Sequence, residues 1–191
     1  MTAGALLREA RLNRGLSQRA LAERSGAVQP TISALESGRH DPGVATLERF
    51  LAASGARLAV LPTRVRPVAD AADAIRRLVA DRRLDEAFRE LIQVADDLAA
   101  ENGAVRVALA VTPPQAAGDR RFDAFLAAVV EHRLSEQDLV LPEWTTESHR
   151  VCEEPWFVSE LPEYAVRARR ESPPAFARRG VFLIPDELAS V

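Results

Sequence analysis

Apolar positions recur at helical spacing over the first 54 residues of this chain, in short runs separated by glycines. Leu6, Leu7 and Ala10 on one face predict a helix over 3–14, closed by Gly15. Ser17 reads as the cap of a second short helix, with Leu21 and Ala22 as its apolar face and Gly26 as its end. A third opens at Gln29 with Pro30 in its first turn, carries Ile32 and Leu35 three apart, and stops at Gly38 and Pro42. Val44, Leu47, Phe50 and Leu51 predict a fourth helix over 44–54, stopped by Gly55.

The texture then changes. Residues 56–62, ARLAVLP, alternate, with Leu58 and Val60 on one face of a predicted strand. A single strand cannot satisfy its own hydrogen bonds, so it needs a second. The nearest candidate is residues 57–61 of another copy; the alternative is a strand elsewhere in the same chain. Residues 63–67, TRVRP, read as a joint between a domain over 1–66 and another over 67–191. Beyond it Ala74, Ile75, Leu78 and Val79 form one helical stripe. Leu84, Phe88, Leu91, Ile92, Ala95 and Leu98 form a longer one, closed by Asn102-Gly103. Residues 104–111 fit a brief helix or a buried strand, and 119–134 a helix with Phe122, Phe125, Leu126, Val129 and Val130 inward.

Periodicity fades over 137–164, where Pro142, Pro155 and Pro162 sit near Trp144, Trp156, Phe157 and Tyr164. This segment is expected to wrap over the body, its aromatics anchoring the fold or a partner. Helices are predicted over 160–170 and from Pro173-Pro174 to Gly180, then a strand-like run at 181–184. Arg178 and Arg179 suit the end of the second of these helices. The predicted fold class is mostly α: a helical head with one short strand, then a mainly helical C-terminal domain.

With 191 residues the chain holds one ordinary domain or two small ones, and 47% hydrophobic content supplies a core. No apolar run approaches a membrane span, and the N-terminus lacks the basic-then-apolar pattern of a leader. With the single Cys152, these features lead to the expectation of a cytoplasmic protein. All 25 basic residues are arginine, which reflects a GC-rich genome more than any mechanism. Residues 1–66 hold ten Arg against five acidic residues, and 67–191 hold 15 against 23. A basic head suited to phosphates and an acidic body imply different partners.

On the third helix, Gln29, Thr31, Ser33, Ala34 and Ser37 are left off the apolar face, and short polar side chains suit base edges. The string SQxxLAxxSGxxQxTISxxExGRxxP resembles the helix-turn-helix of phage-repressor and Xre-type regulators. The resemblance implies a lambda-repressor-like head that reads a palindromic double-stranded operator as a homodimer. It places Gln29, Thr31 and Ser33 in the major groove and Ala34 near a thymine methyl. Gln18, Arg19, Ser37 and Arg39 would approach phosphates, and Arg11 would pair with Glu36. Pro30 departs from the polar residue often found there. LERFLAASGARLAVLP is similar to the ending of Hip-type antitoxins, whose strands pair across a dimer. LPEW at 141–144, PW at 155–156 and SPPAFARRGVFL at 172–183 resemble actinobacterial Xre-type proteins encoded beside nucleotidyltransferase-type toxins.

Catalytic signals are thin. His149 and Cys152 form an HxxC followed by Glu153 and Glu154, without the further ligands a metal needs. His132 reads as a solvated cation at a helix end, and there is no GxSxG, glycine-rich phosphate loop or HExxH. The expectation is a non-enzymatic protein without metal or cofactor. The first reading is an autoregulating antitoxin that binds a toxin through its acidic body. A ligand-sensing repressor and an enzyme fused to a DNA-binding module are the alternatives.

Overall fold

Side-chain caps start three of the longer helices in the computed structural model, which describes residues 2–159 and 161–188. Thr2 caps α1 (Ala3–Asn13), Ser17 caps α2 (Gln18–Ser25) and Asp119 caps α8 (Arg120–Ser135), each accepting a backbone N–H that the helix leaves free. The chain divides into two compact units, 1–61 and 62–191.

The first unit is four helices: α1, α2, α3 (Gln29–Glu36) and α4 (Val44–Ala53). Leu7, Leu21, Ile32, Leu35, Leu47, Phe50 and Leu51 form its core. Gly26 takes φ 68 between α2 and α3, a conformation that costs a side-chain-bearing residue more. Gly4 has another role: a Cβ there would lie 2.1 Å from the Leu35 carbonyl oxygen, so α1 passes α3 nearly backbone to backbone. Val44 was expected inward but is 65% exposed, because it opens α4 at the first turn, away from the core. Residues 56–62 belong to no helix or strand of the chain, and Leu58, Val60 and Leu61 are exposed.

The second unit is organised around α8, eleven of whose sixteen residues are buried. Against it pack α6 (Leu84–Ala100), α7 (Gly103–Ala110) and α10 (Pro174–Ala177), while α5 (Val68–Ala80) lies on α6 and α9 (Pro162–Glu171) on the strand described below. Residues 104–111, open between helix and strand in the sequence, are thus largely α7. The helix start expected at Glu160 lies outside the described residues. Two short strands, β1 (Trp156–Phe157) and β2 (Val181–Phe182), pair in parallel. The joint at 63–67 is fastened to this unit: Val65 packs on its core, Thr63 Oγ1 donates to Glu101 at 3.2 Å, and Arg66 pairs with Glu90. Arg64 and Arg66 therefore count with the second unit. The first then holds eight Arg against five acidic residues, the second 17 against 23.

The aromatics of the wrap differ in depth. Trp144 is buried, its Nε1–H donating to the Ala110 carbonyl at 2.9 Å. Trp156 and Phe157 are half-buried, and Tyr164 is exposed. His132 corrects the sequence reading. It packs edge-on to Phe176 at 5.9 Å, and burial pushes its pKa below the ordinary histidine value, so it is no solvated cation. Arg178 and Arg179 also do more than end a helix. Both reach Glu131, and the buried Arg179 donates to the carbonyls of Ala175 and Thr145 as well.

Candidate nucleic-acid interface

Helix α3 buries Ile32 and Leu35, and its period turns Pro30, Ser33, Ala34 and Ser37 to the opposite side. Gln29 and Thr31 flank that outward arc. Gln29, Thr31 and Ser37 are exposed, whereas Ser33 and Ala34 are half-buried. Helix α3 therefore presents a narrow, uncharged, short-chained ridge.

A polar relay fixes this ridge to the rest of the unit. Glu36 receives Arg11 through two bonds, Nε to Oε1 at 2.6 Å and Nη2 to Oε2 at 2.9 Å. Arg11 Nη1 donates to the Leu16 carbonyl at 2.7 Å, so one guanidinium ties α1, the loop before α2 and the end of α3. Gln18 Nε2 donates to Glu36 at 3.0 Å, and its Oε1 accepts from Gln29 Nε2 at 2.8 Å. Both the first and the last residue of α3 are thereby held. Burial pushes the Glu36 carboxyl up, but the bonds from Arg11 and Gln18 outweigh it and keep the pKa below its usual value. A paired and bonded buried charge fixes geometry more than it stabilises.

The relay alters the role expected of Gln18. Both ends of its amide are engaged inside the protein, so it orients Gln29 rather than standing free. Gln29 keeps one side-chain N–H and its side-chain carbonyl oxygen uncommitted among the described residues. Arg19 is paired with Glu23 at 3.0 Å, with side chains 84% and 67% exposed, a contact worth little and easily exchanged. Arg39 Nε donates to Ser37 Oγ at 3.0 Å, which draws those two residues together beyond the end of α3. At the other site weighed from sequence, His149 Nε2 lies 3.7 Å from Glu147, and Cys152 is raised in pKa by burial.

Helix-turn-helix sequences match this architecture. The family described as a helix-turn-helix domain covers residues 2–63. An uncharacterized HTH-type transcriptional regulator of Methanothermobacter thermautotrophicus is 46% identical over 50 residues, 26% of this chain and 72% of the relative. The chain belongs to the HTH-type transcriptional regulators. A second such regulator, from Haemophilus influenzae, is 40% identical over 52 residues, 27% of this chain and 53% of the relative. The HTH-type regulator thus spans about half the length of one curated relative and nearly three quarters of the other. No solved structure matches it significantly.

The residues that sequence reasoning missed lie in the second unit. Arg106 is 3% exposed and donates to the carbonyls of Ala99, Glu101 and Arg133, closing the ends of α6 and α8 with one side chain. Arg150, 1% exposed, donates to the Pro114 carbonyl and to Glu147, and lies over the Trp144 ring at 4.6 Å. The one available signal was a lone arginine inside an apolar run, GAVRVALA at 103–110. Among the described residues, no helix is long and apolar enough to cross a membrane.

Proposed function

We propose that this HTH-type regulator is a sequence-specific repressor that binds a palindromic operator as a homodimer and acts by binding rather than catalysis. The observation that carries the reading is Gln29, exposed at the start of α3 and aimed by Gln18. Its free N–H and carbonyl oxygen match the paired acceptor and donor of an adenine edge. Thr31, Ser33 and Ala34 lie on the same helix, and Arg19 of α2 with Ser37 and Arg39 beyond the end of α3 would meet phosphates. The dimer would form through residues 57–61, whose Val60 is 93% exposed and whose backbone belongs to no ladder among the described residues.

For the second unit, the reading is an antitoxin body that blocks a toxin in the cytoplasm, the complex repressing its own operon. Its supports are the resemblance of 141–144, 155–156 and 172–183 and its excess of acidic residues, which DNA repels. A ligand-sensing body is the second reading, favoured by the two clefts on either side of Trp156, of about 530 and 370 Å³.

The test selects duplexes from a random pool with the full-length protein and compares two variants on the winner. Gln29→Ala is expected to cost about 1–3 kcal/mol and relax preference at one base pair. Arg39→Ala is expected to weaken all sequences alike and reduce the salt slope by about one unit. Uniform weakening by Gln29→Ala overturns the assignment. Co-expression with the neighbouring gene product, scored by growth and pull-down, tests the antitoxin reading. A harmless neighbour that binds neither unit replaces it with the sensory one.

A further inference from the structure

The two-stranded ladder of the second unit leaves one edge open. Trp156 N–H donates to the Gly180 carbonyl at 2.7 Å and Val158 N–H to the Phe182 carbonyl at 3.0 Å, so β1 spends these residues on β2. Alternation along the strand turns the N–H and C=O of Phe157 to the other side. Neither has a hydrogen-bond partner among the described residues. The far edge of β2 is closed instead. Val181 is fully buried, and the Ser172 hydroxyl accepts from Leu183 N–H at 2.8 Å while donating to its carbonyl at 2.9 Å. An unpaired strand edge is a template for another strand.

Side chains on both faces of β1 supply what a bare edge lacks. Trp156 and Val158, two apart, line a cleft of about 370 Å³ with Leu84, Phe88 and Phe122. On the opposite face Phe157 stacks on Phe182 at 5.0 Å, and the Arg169 guanidinium lies 5.0 Å over the Phe157 ring. The cleft is also lined by Arg89 and Arg121 against Asp85, with Arg121 already held by Asp119. Arg89 and Arg169 have no ion-pair partner within 4 Å among the described residues. Arg89, and Arg169 lying over the Phe157 and Phe182 rings, thus bracket a strand edge beside an aromatic cleft, which favours an acidic occupant over a basic one.

We propose that the β1 edge receives an extended acidic segment of a partner protein as a third strand. Main-chain bonds at Phe157 fix its register, an apolar or aromatic residue of the segment enters the Trp156 cleft, and carboxylates beside it meet Arg89 and Arg169. The proposal deepens the antitoxin reading and rests on it only in that the second unit binds a protein; DNA reading by the first unit is independent.

The probe is a display library of short random peptides, panned against the full-length protein. Selected peptides are expected to alternate apolar residues with Asp or Glu and to slow exchange of the Phe157 amide on binding. Arg89→Glu and Arg169→Glu, both at exposed positions, are expected to weaken them about tenfold while leaving the fold and DNA selection intact. Selection of basic peptides, of none, or of peptides that leave the Phe157 amide unaltered overturns the proposal. So does an amide that is already protected in free protein and loses protection on dilution, which marks an interface between copies. Loss of DNA selection by the unmodified protein overturns the repressor reading instead, without touching this one.

Discussion

In the first unit, seven of eight arginines lie exposed and only Arg11 is buried, whereas the second unit buries Arg106, Arg150 and Arg179 to 4% exposure or less. The same side chain therefore does two jobs. At the surface it stays solvated, within reach of phosphates and cheap to keep in water. In the interior its fork of donors replaces missing helix caps and pins an irregular segment, as Arg179 does with Glu131, Ala175 and Thr145. The first unit spends one buried ion pair on orienting an exposed helix, while the second spends several on holding a wrap in place. Loss of an exposed charge from the first unit is expected to weaken DNA binding, and loss of a buried charge from the second to unfold it.

The largest effect expected is on assembly. Val60→Pro removes a ladder N–H from the proposed dimer strand and leaves monomers, with operator affinity down about 10²–10⁴-fold. Sedimentation checks it, and a variant that stays dimeric moves the contact elsewhere. Next comes Glu131→Ala, which strands the Arg179 guanidinium in the interior and is expected to cost the second unit about 3–5 kcal/mol. Calorimetry should show that transition move while the first unit's stays. If both move together, the two units are one cooperative body and the contrast fails.

Gly4→Ala is the matching lesion in the first unit. Its Cβ would meet the Leu35 carbonyl at 2.1 Å, so α1 must withdraw from α3 at a cost of about 1–3 kcal/mol. The same calorimetry reads it, now with only the first unit's transition lowered.

The smallest effect separates the units by pH. Burial depresses the His132 pKa, so its stabilising contribution is present above the ordinary imidazole value of about 6.5 and is lost as pH falls through the folded value. Glu36 is depressed too, so its contribution is lost only as pH falls below the ordinary glutamate value. Asp123 runs the other way: burial raises it, the folded state takes up the extra proton, and acidification stabilises. The second unit is thus expected to soften first on acidification from neutrality, and His132→Gln to abolish that early step. Melting each transition against pH is the check.

Much of the first unit was legible because its signals are local. Ser17 and Gly26 sit where a cap and a positive φ are needed, and Ile32 and Leu35 mark the buried side of α3 by spacing alone. The outward set from Gln29 to Ser37 followed from the same period. The second unit gave up its helices, since stripes such as Leu84 to Leu98 are also local. It hid its charged interior, because an arginine in the sequence reads as a surface residue until its partners are known.

What the sequence by itself determined is most of the helices, the Ser17 cap and Gly26 stop, and the polar ridge of α3, all consequences of short-range periodicity and backbone preference. Only the tertiary structure decided where the joint belongs, since Thr63, Val65 and Arg66 find their partners at Glu101, the second core and Glu90. It also decided that Gln18 aims Gln29, that Gly4 admits α3, and that β1 keeps an open edge beside Trp156. Each of these depends on residues distant in the chain, and periodicity carries no information about which distant groups will meet.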